Sequence, residues 1–157
     1  MKKIRKRVFE TNSSSMHSLA IIGSDRMSKC QLSTTIIDGE EKIAVESGEY
    51  GWGYESLTTP IEKLSYIVTM IQYQDYNVGI GESRYFKWLS DMVKDYTGFE
   101  LSYQSSSSNY YEDGYIDHQS TDTLDDVWVN DEEEFKNNMK NIVFNDKYFI
   151  IIDNDNH

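Results

Sequence analysis

Apolar and polar positions alternate with a period of two along Lys3 to Phe9 and again along Met16 to Ile22. That spacing belongs to strands with one buried face, and the polar run "TNSSS" between them suits a hairpin loop, so the chain is expected to open on a β-hairpin. "STTIIDGEEKIAVE" places two β-branched runs around Asp38-Gly39 and predicts a second hairpin. "SGEYGWGYESL" follows, with three glycines around Tyr50, Trp52 and Tyr54, and reads as a bent loop. The period then changes to that of a helix. Ile61, Leu64, Ile67, Val68 and Ile71 share one face, Thr59 and Glu62 form a capping box, and Pro60 takes the first helical position. "GESRYFKWLSDMVKDYTG" predicts a second helix with Phe86, Leu89 and Val93 inward and Gly98 as its stop. Phe99 to Gln104 reads as a strand, Ser105 to Ser108 as a loop and "YIDHQS" as a short strand. A third helix is expected from Asp131 to Val143, capped by Asn130 or Asp131, with Glu132 to Glu134 at the favourable end of its dipole. The continuous apolar run of "KYFIIID" predicts a central last strand buried on both faces. This order is α+β: an N-terminal β-hairpin plus a mixed, mainly antiparallel sheet packed against about three helices.

Composition adds the scale and the charge. A chain of 157 residues, 38% hydrophobic and 13% aromatic, suits one core. Charge divides it in two. Lys2, Lys3, Arg5, Lys6 and Arg7 carry five of the fifteen basic groups in the first seven residues, leaving ten against twenty-seven acids elsewhere. Residues 1–22 therefore read as a basic N-terminal β-hairpin motif and residues 23–157 as a single acidic α+β body. A basic arm is the electrostatic footprint of phosphate contact, whereas an acidic body repels bulk nucleic acid and attracts basic grooves. Acids that merely keep a domain soluble are the plainer account. Cys30 is the sole cysteine, which excludes an intrachain disulfide and fits a reducing cytoplasm. No apolar run matches a secretory signal or a membrane span, so a soluble, cytoplasmic protein with no membrane contact is expected.

Phosphate-binding glycine loops, nucleophile elbows and zinc-protease helices are absent from the sequence. Histidine is the one side chain that both accepts and donates protons near neutrality without a perturbed pKa. His17 leaves the serine run on a strand whose neighbour can project Arg5 and Arg7, and imidazole beside guanidinium suits phosphate chemistry. In metal-free RNA cleavage a base deprotonates the 2′-hydroxyl, an acid protonates the leaving 5′-oxygen and cations stabilise the charged phosphorus oxygens. His118 in "GYIDHQS" is the natural second titrating group. Ser13, Ser14 or Ser15 beside His17 offers a nucleophile, although serine-rich turns commonly bond their own backbone. Trp52 and Tyr54 on glycine-flexed backbone could stack on bases or anchor the loop on the core. The carboxylate clusters lack the spacing of a calcium loop, so neither a metal nor a cofactor is expected.

The opening "RKRVFETNSSSMHSLAI" resembles the N-terminus shared by small proteins of Gram-positive phages and mobile elements, in which a basic segment runs into "FETNSSS", a variable residue and "HS". The resemblance covers the first twenty-two residues, and "GEYGWGYE" and "GYIDHQS" resemble the same group more loosely. Some proteins with this kind of hairpin look like type II-A anti-CRISPR inhibitors, among them a kind that truncates the guide RNA. The resemblance places Thr11, Asn12, Ser13, Ser14, Ser15, His17 and Ser18 in the functional motif. It implies an inhibitor of a type II RNA-guided DNA endonuclease, acting in the host cytoplasm on the effector and its guide RNA. Lys3, Arg5, Lys6 and Arg7 would hold phosphate, Thr11 to Ser14 with Trp52 and Tyr54 would contact RNA, and His17, His118 and Ser15 would carry the chemistry. Whether such a protein cuts the guide as a ribonuclease or only binds it stays open. The alternatives are a non-enzymatic acidic DNA mimic in the nuclease's DNA-binding groove and a phage protein of unrelated function.

Overall fold

The structure is a computed structural model that describes residues 15–27, 32–50, 54–75, 78–105, 115–116 and 128–154. In chain order these form β1 (Ser15–Ile21), β2 (Thr35–Ile37), β3 (Glu40–Val45), β4 (Glu49–Tyr50), β5 (Glu55–Leu57), α1 (Pro60–Gln74), α2 (Arg84–Thr97), β6 (Leu101–Tyr103), β7 (Tyr115–Ile116), α3 (Glu132–Phe144) and β8 (Tyr148–Asn154), with a single 3-10 turn, Ile80–Glu82, ahead of α2. The fold is α+β, with three helices against two three-stranded sheets of mixed, mainly antiparallel pairing.

The apolar run of β8 takes the centre of the sheet β1-β8-β5 and pairs antiparallel with both neighbours. Ile150 and Ile152 are fully buried, whereas Phe149 and Ile151 on the opposite face are half-buried, so the expected two-sided burial is complete on one side only. β1 lies along β8 over its whole length, from Ser15 opposite Asn154 to Ile21 opposite Tyr148. Its described partner is thus the far end of the chain. The Lys3 to Phe9 half of the expected hairpin lies outside the described residues. Because β1 belongs to the body's sheet, a division at residue 22 would cut through that sheet.

The second hairpin forms as its turn dipeptide dictates. Asp38 and Gly39 both take positive φ, 54° and 82°, the geometry of a type I′ connection between β2 and β3. β3 continues into parallel pairing with β6, which is shorter than the predicted Phe99 to Gln104 strand. The glycine-rich segment read as a loop carries strands at both ends. Glu49–Tyr50 pairs parallel with Tyr115–Ile116, and Leu57 is buried opposite Ile150. Two- and three-residue strands leave no periodicity for a sequence to display.

The helices follow their caps. Thr59 Oγ1 accepts from the Glu62 N–H at 3.4 Å, Glu62 Oε1 accepts from the Thr59 N–H at 3.1 Å, and Pro60 begins α1. Residues 66–71 are buried without a break, so α1 is enclosed on every side at its centre instead of burying one stripe, while Ile61 stays half-exposed. Ser83 caps α2 and Gly98, with φ of 93°, ends it; Leu89, Met92 and Val93 are buried and Phe86 is half-buried. Asp131 caps α3 by accepting from the Glu134 N–H at 2.9 Å. One apolar core joins residues of all three helices to Ile43, Val45, Leu57, Leu101, Ile150 and Ile152 of the sheets.

Candidate functional site

Alternation along β1 puts His17 and Leu19 on one face, as the sequence suggests, and that face is the core. His17 stands opposite Ile152, which stands opposite Glu55, so the three share a row across the sheet. The imidazole is 0% exposed. Its Nδ1 lies 2.7 Å from the Tyr66 hydroxyl of α1, and the two ring centroids are 5.7 Å apart. Tyr66 in turn meets Tyr50 edge-on at 5.0 Å. Burial pushes the Tyr50 hydroxyl above its ordinary pKa against an opposing hydrogen bond from Ser65, with Glu55 and Glu62 adding to the rise. Burial likewise raises Glu55, with Glu62 beside it. A histidine enclosed this way docks β1 on α1. Its burial differs from the solvent-facing placement that the sequence suggests.

Of the other residues expected at the site, Ser15 opens β1 opposite Asn154 and Tyr54 precedes β5, 62% exposed. Lys3, Arg5, Lys6, Arg7, Thr11, Asn12, Ser13, Ser14, Trp52 and His118 lie outside the described residues. Among the described residues no group of three or more His, Cys, Asp or Glu side chains is arranged to hold a metal ion.

Among the described residues the accessible charge is mainly negative. Most described cations are engaged: Arg26 with Asp146, Lys42 with Glu40, Lys87 with Asp91, Lys94 with Glu100, Lys136 with Glu132 and Lys147 with Asp25. Exposed carboxylates that form none of these ion pairs include Asp38 and Glu41 on the β2–β3 hairpin and Asp131, Glu133 and Glu134 at the start of α3.

Three described cations lie outside these pairs: Lys140, exposed with its Nζ 5.2 Å from the centre of the Tyr96 ring, and two that differ sharply from each other, Lys63 and Arg84. Lys63 is buried, and its Nζ donates to the carbonyls of Tyr148 at 3.0 Å and Asn145 at 3.5 Å. Burial lowers its pKa to about 8 against the pull of Asp146 and Glu62. Asn145 completes this knot, its Oδ1 accepting from the Arg26 and Lys147 N–H groups and its Nδ2 donating to Asp25. Arg84, by contrast, is exposed at the first position of α2, stacked over Tyr85 and Trp88, and takes part in no described ion pair. Sequence reasoning assigned no role to Arg84, although an arginine opening a helix in "SRYFKW" is a local electrostatic oddity that could have drawn attention.

With this geometry in hand, comparison with known proteins adds no family: no family model, no curated protein and no solved structure matches the chain. No helix among the described residues is long and apolar enough to cross a membrane.

Proposed function

We propose that the protein is a non-enzymatic anionic inhibitor that occupies the nucleic-acid groove of a type II RNA-guided DNA endonuclease in a bacterial cytoplasm. The observation that carries this reading is the set of solvent-facing carboxylates, Asp38 and Glu41 on the β2–β3 hairpin and Asp131, Glu133 and Glu134 at the start of α3, that form no described ion pair while most described cations are tied up. Such a surface is repelled by nucleic acid and attracted to a groove lined with lysine and arginine. The burial of His17 against Tyr66 weighs against cutting the guide RNA with that residue. The choice of target rests on the resemblance of residues 1–22 to phage proteins.

The test mixes the full chain with a guide-loaded type II effector. A stable complex that competes with target duplex is expected, with the labelled guide intact in EDTA. Asp38→Lys/Glu41→Lys and Glu133→Lys/Glu134→Lys should each weaken the complex by about tenfold at low salt and less at high salt. No complex, or a guide shortened by the wild type and not by His17→Ala, rejects the reading. A truncation probing the basic arm should end before Ser15, because removing residues through Ile22 deletes β1 and uncovers β8.

A further inference from the structure

Arg84 is an anomaly in both position and company. It occupies the first residue of α2, where the partial positive charge of the helix disfavours a cation, and the first turn contains no acid. In a chain of net charge −12 it nevertheless forms no described ion pair. Its hydrogen bonds go to neutral oxygens, Asn130 Oδ1 and, at 3.5 Å, the Tyr85 hydroxyl. Asp75 is close to this helix end, but its carboxylate accepts from Ser83 Oγ.

The guanidinium is held in place by rings, with Cζ 5.1 Å from the centre of Tyr85 and 5.6 Å from that of Trp88. Trp128, two residues before Asn130, packs edge-on against the same Tyr85 at 5.4 Å, and Phe135 closes the cluster behind it. The Trp128 Nε1 is buried and has no hydrogen-bond partner among the described residues. An unsatisfied buried donor is uncommon and costly in a native fold. Here it sits on the same aromatic cluster as a guanidinium whose remaining N–H groups are uncommitted. Arginine and the indole donate and never accept, so both await an acceptor-rich anion.

We propose that Arg84, Trp128 and the Tyr85–Trp88 rings form a binding site for a single carboxylate, such as an aspartate or glutamate side chain presented by a protein partner. The planar carboxylate matches the guanidinium fork with two parallel hydrogen bonds, and the positive end of α2 adds to its attraction. Asn130 is the placeholder that an incoming carboxylate displaces from the guanidinium, and the Trp128 N–H is a further donor on the same aromatic cluster. A nucleic-acid strand fits less well. One guanidinium neutralises one phosphate, whereas Asp131 to Glu134, directly following Asn130, repel a polyanion. The site stands on its own geometry; only the choice of a protein as the bearer of the carboxylate rests on the proposed function.

Nitrogen-15 NMR of the full chain tests this without any effector, so its outcome is separate from that of the inhibitor reading. The probes are N-acetyl-glutamate amide, inorganic phosphate and chloride, at matched ionic strength. Saturable shifts of the Trp128 indole N–H and Arg84 side-chain N–H signals by the glutamate probe are expected, at least about tenfold weaker in Arg84→Gln. Trp128→Phe, which keeps an aromatic ring and removes the donor, should weaken the response of Arg84 and assigns the indole signal. Absence of saturation by the glutamate probe overturns the proposal, as does an undiminished response in Arg84→Gln or an equal response to chloride. Tighter binding of phosphate overturns the carboxylate assignment.

Discussion

The knot around Lys63 and the platform around Arg84 use the same kind of ion to opposite ends. Lys63 is sealed between α1 and the α3–β8 turn, its ammonium donates to two carbonyls, and the neighbouring Asn145 uses both its side-chain donor and its acceptor. Arg84 faces solvent with neutral partners, on the same aromatic cluster as a buried indole N–H that has no partner among the described residues. A polar group that holds a fold together is saturated within the chain, because an unmet bond in the interior costs more than a met one returns. A group that recognises another molecule keeps part of its capacity open. By that criterion His17, buried and bonded to Tyr66, belongs with Lys63.

The sharpest way to break the contrast is Asn145→Leu. It strips partners from the N–H groups of Arg26 and Lys147 and from Asp25 in a site that is 3% exposed. We expect a loss of about 3 to 5 kcal/mol, read by urea unfolding. A change below about 1 kcal/mol would show that the knot is not structural.

Lys63 supplies the next largest effect, and it depends on pH. Burial holds the folded amine at about 8 against an ordinary 10.5. Between those values the unfolded chain binds more protons than the folded one, so this residue makes stability rise with pH; below about 8 both states are protonated and its contribution stays flat at its least favourable. From pH 8 to pH 10 the rise should be about 2 kcal/mol. Tyr50 works in the other direction only above its ordinary 10, since its raised pKa means stability is lost as pH climbs through the folded value. Lys63→Met should flatten the rise between pH 8 and 10, and unfolding curves across that interval check it.

Tyr66→Phe removes the hydroxyl that meets His17 Nδ1 and should cost about 1 to 3 kcal/mol. His17→Ala should destabilise at least as much. If it leaves the thermal midpoint unchanged, the imidazole is not a structural residue. Thr59→Ala, losing one side of the α1 capping box, should cost about 1 kcal/mol.

The sequence made legible what depends on neighbours along the chain. Thr59, Pro60 and Glu62 marked the start of α1, Gly98 the end of α2, Asp38-Gly39 the turn of the second hairpin, and the apolar run of "YFIII" the central strand. Each is a local preference that packing did not overrule. Pairings between distant segments were not legible, because β1 finds β8 and β3 finds β6 through the shape of the common core and no short-range signal encodes that choice. The same limit hid the site chemistry. Alternation placed His17 and Leu19 on one face without saying that the face is the interior, and a lysine in "EKLSY" gave no sign that its helix is enclosed on every side. Arg84 acquires its neighbour Asn130 only when α3's cap is folded against α2.

The smallest expected effect is the most discriminating. Arg84→Gln removes an exposed cation from the positive end of a helix and loses stacking on Tyr85 and Trp88, two changes of opposite sign. Stability should therefore move by no more than about 0.5 kcal/mol. Trp128→Phe deletes a buried donor that has no partner among the described residues, a gain opposed by the lost packing of the larger ring, and should move stability by no more than about 1 kcal/mol. Were either substitution to cost as much as Asn145→Leu, the aromatic platform would be a second structural knot and the contrast with Lys63 would disappear. Near-neutral stability in both, set beside the loss at Asn145, separates residues that the fold requires from residues it holds in readiness for another molecule.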